Sequence, residues 1–325
     1  FEEINALGGL QFEFRCEDDE ADGEMAVNAY NTLMDWGMQI MAGPTTSGSA
    51  AAAAAECAAD GVFMLTPSAS DAAVITAGDN VFQICFTDPN QGIGSADFIF
   101  SHALGEKVGI IYDSSNPYSL GIYNKFVEQA TNIGLVIVAE EAFTADNKAD
   151  LTTQVTKCKE AGADLVFLPI YAAEAAQVLT CADKIGYDVP FFGCDGLDGI
   201  LSTEGFDPAL AEGVMLLTPF DASSEDEKVQ AFVKNYTEKF GLAPNQFAAD
   251  AYDVAYAIYA ACTEAGVTGD MSVEEVCEAM VAQFTSMSFD GVTGLGMTWG
   301  ADGAVSKLPM AVKIENGVYV GVDYE

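Results

Sequence analysis

Small hydroxyl side chains, two tyrosines and one aspartate stand where apolar runs end in this 325-residue chain. Pro44-Thr45-Thr46-Ser47 follow "MQIMAG", and Pro67-Ser68-Ala69-Ser70 follow "GVFMLT". Ser114-Ser115-Asn116-Pro117-Tyr118 follow "VGIIYD", Pro169-Ile170-Tyr171 follow "ADLVFL", and Cys194-Asp195-Gly196 follow "VPFFG". Hydroxyls and backbone amides donate to a carboxylate, whereas a carboxylate such as Asp195 accepts from an ammonium group. The two sets together suit a zwitterion. The stretch "AGPTTSGSAAAAAAEC", Ala42 to Cys57, adds a helix start. Alanine is the best helix former, so Ala50 to Ala55 read as helix with Ser47 or Ser49 as its cap. Free amides at such an end favour an anion, phosphate or carboxylate. A capped structural turn explains that stretch alone equally well, and Tyr118, Tyr171 and Asp195 taken singly read as half-buried packing residues and a turn aspartate. Their common place at strand ends is what favours a site.

Other chemistries find little support. There is no G-x-S-x-G elbow and no P-loop, and "GLGMTWG" departs from dinucleotide-binding spacing. The eight cysteines, at 16, 57, 85, 158, 181, 194, 262 and 277, include no C-x-x-C pair, and His102 is the one histidine. A zinc or haem site of the usual kinds is thereby disfavoured, and neither metal nor cofactor is expected. The cysteines read as small buried apolar residues and His102 as a surface or packing residue at a helix end. Fifty acidic against twelve basic residues give a formal net charge of −38. Nucleic acid and anionic membranes would be repelled by such a surface. A content of 50% hydrophobic residues excludes a disordered chain and suits two domains. No apolar run is long enough to span a bilayer and no signal peptide is visible, although "FEEINALGG" reads as the middle of a helix.

Stepping along the chain, short apolar strands alternate with amphipathic helices. "QFEFR", "MQIMAG", "GVFMLTP", "KVGIIYD", "LVIVAEEAF", "ADLVFLPIY" and "VPFFGCD" read as strands, with helices between. That alternation means βαβ units and mainly parallel sheets, hence a doubly wound α/β fold in which ligands bind beyond the carboxyl ends of the strands. Two Rossmann-like lobes joined by three crossovers are expected. The crossings fall at "CFTDPNQG", which reads as a connection, at "LLTPFDASSEDE", and near "FDGVTGLGMTWGADG". The lobes would comprise residues 1–87 with 219–291, and 88–218 with 292–325. "GVFMLTP" and "GVMLLTP" echo one another and hint at similar lobes.

The motifs "GPTTSG", "FMLTPSAS", "VFQICFTDPNQG", "IIYDSSNPYSLG", "LPIYAAEAAQ" and "FFGCDGLDG", in this order, resemble the branched-chain amino-acid-type (Leu/Ile/Val-binding-like) solute-binding proteins of ATP-driven importers. The resemblance covers nearly the whole chain. It implies a type I periplasmic-binding fold that closes on a free amino acid, without enzymatic activity. By position, Ser47 matches a serine that bonds the ligand carboxylate, and Ser68, Ala69 and Ser70 match a loop touching both carboxylate and ammonium. Tyr118 and Tyr171 match an aromatic pair from the other lobe, Asp195 an acidic residue facing the ammonium, and Phe247 of "NQFAADAYD" an aromatic lining the side-chain pocket. Two departures stand out. Relative to the family the chain lacks the first strand and the loop after it, and Thr45, Thr46 and Ser68 make the pocket more polar than one built for leucine alone. The implied partners are the amino acid and the permease and ATPase subunits of an importer, with the protein a monomer. The implied location is extracytoplasmic, periplasmic or lipid-anchored at the outer face of the cell membrane, with a signal peptide removed. A ligand-sensing extracellular domain of the same fold, or a binder of a related small amide or carboxylate, remains the alternative.

Overall fold

Side-chain caps punctuate the chain, as the structure, a computed structural model that describes residues 1–322, makes plain. After α1 (Glu2–Ala6), Asp22 accepts from the N–H groups of Glu24 and Met25 to open α2 (Gly23–Trp36), which Gly37 ends in a left-handed conformation. Then come β1 (Ile40–Ala42), α3 (Ser47–Asp60), β2 (Phe63–Thr66), α4 (Ala72–Ile75) and β3 (Val81–Gln83). These strands form a parallel sheet in the order β1-β2-β3, with register pairs such as Met41 with Met64 and Leu65 with Phe82. Every residue of β2 and β3 is buried, which is why β2 reads as a continuous apolar run up to Thr66.

Next follow α5 (Asp88–Ser101), β4 (Lys107–Asp113), α6 (Pro117–Ile133), β5 (Val136–Phe143), α7 (Thr152–Glu160), β6 (Leu165–Leu168), α8 (Ala172–Lys184), β7 (Phe191–Gly193), β8 (Met215–Thr218) and α9 (Glu227–Phe240). The chain continues through α10 (Gln246–Ala265), α11 (Val273–Phe284), the antiparallel pair β9 (Ser288–Phe289) and β10 (Met297–Thr298), and finally β11 (Met310–Glu315) and β12 (Val318–Val322). The larger sheet has the order β12-β11-β8-β7-β6-β4-β5. Its strands β4 to β8 run parallel, and β11 pairs antiparallel with β8 and β12. The expected α/β architecture with parallel sheets is therefore present.

Two compact units result, residues 1–87 with 247–307 and residues 88–246 with 308–325. The chain passes between them three times, but two crossings lie later than expected. Residues 219–246 belong to the second unit, where Ser223 accepts from the Gly321 N–H at 3.5 Å and the Gln246 side chain donates to the Asp195 carbonyl at 2.7 Å. Residues 292–307 belong to the first because the Trp299 indole donates to the Gln83 carbonyl at 2.8 Å and packs against Phe284. "TDPNQG" is an element after all: Asp88 opens α5, where Pro89 has no N–H to forfeit in the first turn.

"QFEFR" is extended but joins no ladder among the described residues. The Asn5 side chain takes both backbone groups of Phe12, donating to its carbonyl and accepting from its N–H at 2.8 Å each. Phe12 and Phe14 pack on Phe1. Residues 10–17 and 36–44 line a cavity of about 400 Å³ in the first unit. Seven of the eight cysteines are buried, Cys57 against Met41 and Cys262 against Met280 among them; Cys16 is exposed. His102 stacks on Phe98 at 4.0 Å at the end of α5.

A buried ionic cluster closes the first unit. Lys307, 4% exposed, donates to Asp250 at 3.1 Å and to the Thr293 hydroxyl at 2.5 Å. Thr293 donates to Asp253, which also accepts from the N–H groups of Val292 and Thr293. Asp250 and Asp253 are three residues apart on α10, so they share a face and hold the 290–307 segment to it. Removing one member of such a pair leaves a buried charge uncompensated, at about 3–5 kcal/mol. Lys307→Met should accordingly lower the thermal unfolding temperature markedly. Lys307→Met with Asp250→Leu should recover much of the loss, and calorimetric unfolding of wild type and both variants checks the ordering.

Candidate ligand-binding site

In the first unit the loops after β1 and β2 are joined by hydroxyl groups. Thr66, at the end of β2, donates to the Pro44 carbonyl at 2.6 Å and accepts from the Ala69 N–H at 3.1 Å. Ser47 Oγ accepts from the Asp71 N–H at 3.3 Å. Ser47, Ser68, Ala69 and Ser70, all buried, are thereby brought together. The helix start differs from expectation: neither Ser47 nor Ser49 caps α3. Thr46 is the N-cap residue and makes no side-chain capping bond, and the hydroxyl of Ser47 is turned to the neighbouring loop. The buried hydroxyls of Thr46 and Ser49 have no hydrogen-bond partner. The first turn of α3 thus combines uncapped amides, the positive end of the helix dipole and spare hydroxyls, which is what a carboxylate needs. Phe247, half-buried, is the second residue of α10, and the hydrogen bonds joining the two loops do not involve it.

The second unit assembles Tyr118, Tyr171 and Asp195. Asp113, ending β4, accepts from the N–H and hydroxyl of Ser115 and has its own N–H bound by Ser119. Asn116 and Pro117 then start α6, which fixes Tyr118 at its first turn. Tyr171 is the N-cap residue of α8, directly after the buried Ile170. The two rings stack at 4.7 Å with an interplanar angle of 9°. Asp195 opens a 3-10 turn, Asp195–Leu197, after β7. Its Oδ1 accepts from the Tyr118 hydroxyl at 2.7 Å, and that hydroxyl in turn accepts from the Gly196 N–H at 2.8 Å.

Asp195 is 2% exposed, and burial pushes its carboxyl up from 3.8 to about 6 despite hydrogen bonds that favour the charged form. The Tyr118 phenol is pushed up as well, by burial first and by the neighbouring Asp195 charge second. The carboxylate is thus held by dipoles rather than by a positive side chain.

Sequence reasoning missed the residues that hold this turn. Gln91 of α5 accepts from the Asp195 N–H at 3.1 Å, and Gln246 donates to the Asp195 carbonyl at 2.7 Å. Asp198 accepts from the Gln246 N–H at 2.6 Å, at the start of α10, and burial raises its carboxyl to about 6. Gly196 is equally specific: a Cβ there would lie 2.6 Å from the Tyr118 hydroxyl and 2.9 Å from the Tyr171 ring. The available signals were faint, an amide in "DPNQG" and a second aspartate in "DGLDG".

Known proteins resemble this chain along most of its length. The family model for periplasmic binding proteins matches residues 1–317. A Leu/Ile/Val-binding protein homologue of Brucella melitensis is 28% identical over 83% of this chain and 73% of its own. A leucine-, isoleucine-, valine-, threonine- and alanine-binding protein of Pseudomonas aeruginosa is 27% identical over 90% and 77%. Among solved structures, the branched-chain amino acid transporter substrate-binding protein LivJ of Streptococcus pneumoniae, in complex with isoleucine, superposes with a TM-score of 0.86 at 28% identity, covering 98% of this chain and 89% of that one. The leucine-binding protein LivK of Thermotoga maritima shares the fold, with a TM-score of 0.84 at 22% identity over 94% and 85%. A match that runs from the first residue to residue 317, on a scaffold of parallel α/β units, makes the chain a solute-binding protein and a member of the periplasmic binding protein family.

Proposed function

We propose that the protein captures a free, neutral α-amino acid, aliphatic or small, and delivers it to the permease and ATPase of an ATP-driven importer. The observation that carries this reading is the buried carboxylate of Asp195, held by a hydroxyl and flanked by a stacked tyrosine pair. A buried carboxylate is stabilised strongly by a cation, and an α-ammonium group is one that arrives with a carboxylate of its own. That second charge goes to Ser47 at the start of α3 and to Ser68, Ala69 and Ser70 of the loop after β2, and Phe247 contributes to the side-chain pocket. Family membership supports the pairing, as does the isoleucine bound by the Streptococcus pneumoniae relative. The hydroxyls of Thr45, Thr46 and Ser68 favour a range that includes small polar side chains, in keeping with the name of the Pseudomonas aeruginosa relative. The protein acts as a monomer outside the cytoplasm, in a periplasm or tethered by lipid to the membrane's outer face. No described helix is long and apolar enough to cross a membrane.

Titration calorimetry against the common amino acids should give saturable binding for several of leucine, isoleucine, valine, alanine and threonine. Binding of amides, sugars or nucleotides alone would sink the proposal. Asp195→Asn should cost about 2–5 kcal/mol in affinity while leaving the fold intact, since the amide keeps the shape but not the charge. Gly196→Ala should displace the tyrosine pair and weaken binding by roughly tenfold or more, the range expected of overpacking.

The pH dependence has a definite sign. The ligand ammonium requires the ionised form of Asp195, whose carboxyl titrates at about 6 in the folded protein. Affinity should be flat above pH 6 and fall below it, approaching about tenfold per pH unit as one proton is taken up on release. Ligand-free stability moves the other way: a carboxyl raised from 3.8 to about 6 on folding binds its proton more tightly in the folded state. Its contribution to stability is therefore present at acid pH and is lost as pH rises through 6. Calorimetry across the pH range on wild type and Asp195→Asn tests both, the variant being expected to lose the slope.

A further inference from the structure

We infer that Thr66 is a positioning residue whose hydroxyl holds the loop after β1 against the loop after β2 and so sets where Ser47 and Ser70 meet a ligand carboxylate. The inference rests on the function proposed above. Thr66 is 0% exposed and ends the otherwise apolar strand Phe63-Met64-Leu65. Valine has the same shape and would suit such a strand at least as well, because a buried hydroxyl needs partners. The partners of this one lie in two different loops. Its hydrogen goes to the Pro44 carbonyl at 2.6 Å and its lone pair takes the Ala69 N–H at 3.1 Å.

Those bonds belong to a closed circuit. From Pro44 the chain runs two residues to Thr46 and enters α3 at Ser47, whose hydroxyl accepts from the Asp71 N–H at 3.3 Å. From Asp71 the chain runs back through Ser70 to Ala69 and so to Thr66. Ser68 and Ser70 on one side, and Thr46 and the first amides of α3 on the other, are held in one ring of hydrogen bonds. The backbone ladder does not supply this restraint, for the Gly43 N–H reaches the Leu65 carbonyl and the Ile84 N–H the Thr66 carbonyl, both short of the loops. Without the Thr66 hydroxyl, the Pro44 carbonyl and the Ala69 N–H lose the group that ties the two loops to the end of β2.

The test is calorimetric titration of wild type, Thr66→Val and Thr66→Ser with leucine and with leucinamide, which lacks the carboxylate, alongside thermal unfolding of each protein. Thr66→Val should lose roughly tenfold to hundredfold in leucine affinity, the scale of one or two buried hydrogen bonds. Its leucine-to-leucinamide ratio should fall by a similar factor, and Thr66→Ser should restore both to within about threefold, since the hydroxyl is the active group. A merely structural threonine would lower the two ligands alike and leave the ratio unmoved, which would overturn the inference. So would Thr66→Val binding leucine as wild type does. Should Thr66→Val not fold, Thr66→Cys, with its weak thiol partner, takes its place and should fall between the other two. Failure of wild type to bind any amino acid would instead overturn the proposed function and this inference with it.

Discussion

The burial of the Asp195 carboxylate is the constraint around which the second unit is arranged. Moving a carboxylate out of water is costly unless charge or hydrogen bonds replace the lost hydration. Here the replacement comes from the Tyr118 hydroxyl on one oxygen, while the peptide groups on either side are held by Gln91 and Gln246. That set is enough to keep the turn ordered, yet not enough to return the carboxyl to its ordinary titration range. The remaining deficit is available as differential binding energy for a cation. The tyrosine stack, the small residue at Gly196 and the anchoring of Gln246 on Asp198 all serve to keep one polar turn in one place.

The first unit shows what a buried aspartate looks like when the protein satisfies it internally. Asp250 has Lys307 at 3.1 Å, and Asp253 accepts two backbone N–H groups and a hydroxyl. Such aspartates are parts of the scaffold, holding a loop to a helix. Asp198 is intermediate: its Oδ2 binds the Gln246 N–H, yet burial raises its carboxyl to about 6 as it does that of Asp195. Burial alone does not separate these from Asp195, because all are nearly inaccessible. The kind of partner does. Asp250 and Asp253 face a lysine, a hydroxyl and backbone amides of their own unit, whereas Asp195 has a phenol on a stacked ring pair.

How much of this was legible from residues alone follows the range over which each signal acts. Strands such as Lys107–Asp113 and Leu165–Leu168 declare themselves through local apolar runs, and α3 through its alanines. The polar residues after the strands were legible for the same reason, because a parallel sheet puts all its carboxyl ends on one side. The crossings were not, since the unit to which these segments belong is decided by partners far along the chain, Gly321 for Ser223 ahead of α9 and Gln83 for Trp299. "QFEFR" alternates as a strand should, but alternation says nothing about whether a neighbour is present to pair with, and Asn5 supplied a side-chain substitute. Residues such as Thr66, Gln91 and Gln246 were hidden because their chemistry is ordinary and only their partners are not.

On the function proposed above, surface charge and site chemistry act on the same ligand in different ways. A net charge of −38 sets up a repulsive field for anions, screened beyond about 8 Å at physiological salt but strongest where low-dielectric walls focus it. A zwitterion has no net charge and meets no such barrier, so its approach is unopposed. A 2-oxo acid or an aromatic acid would be repelled on the way in, and on arrival would leave Asp195 with no cation. A dicarboxylic amino acid would satisfy Asp195 yet bring a second negative group near a carboxylate that burial already holds at about 6. An amine without a carboxylate would be attracted by the field and would pair with Asp195, leaving the amides at the start of α3 unanswered. The long-range term rejects by net charge and the short-range terms reject by the absence of either end, and a neutral α-amino acid is the chemistry that passes all three.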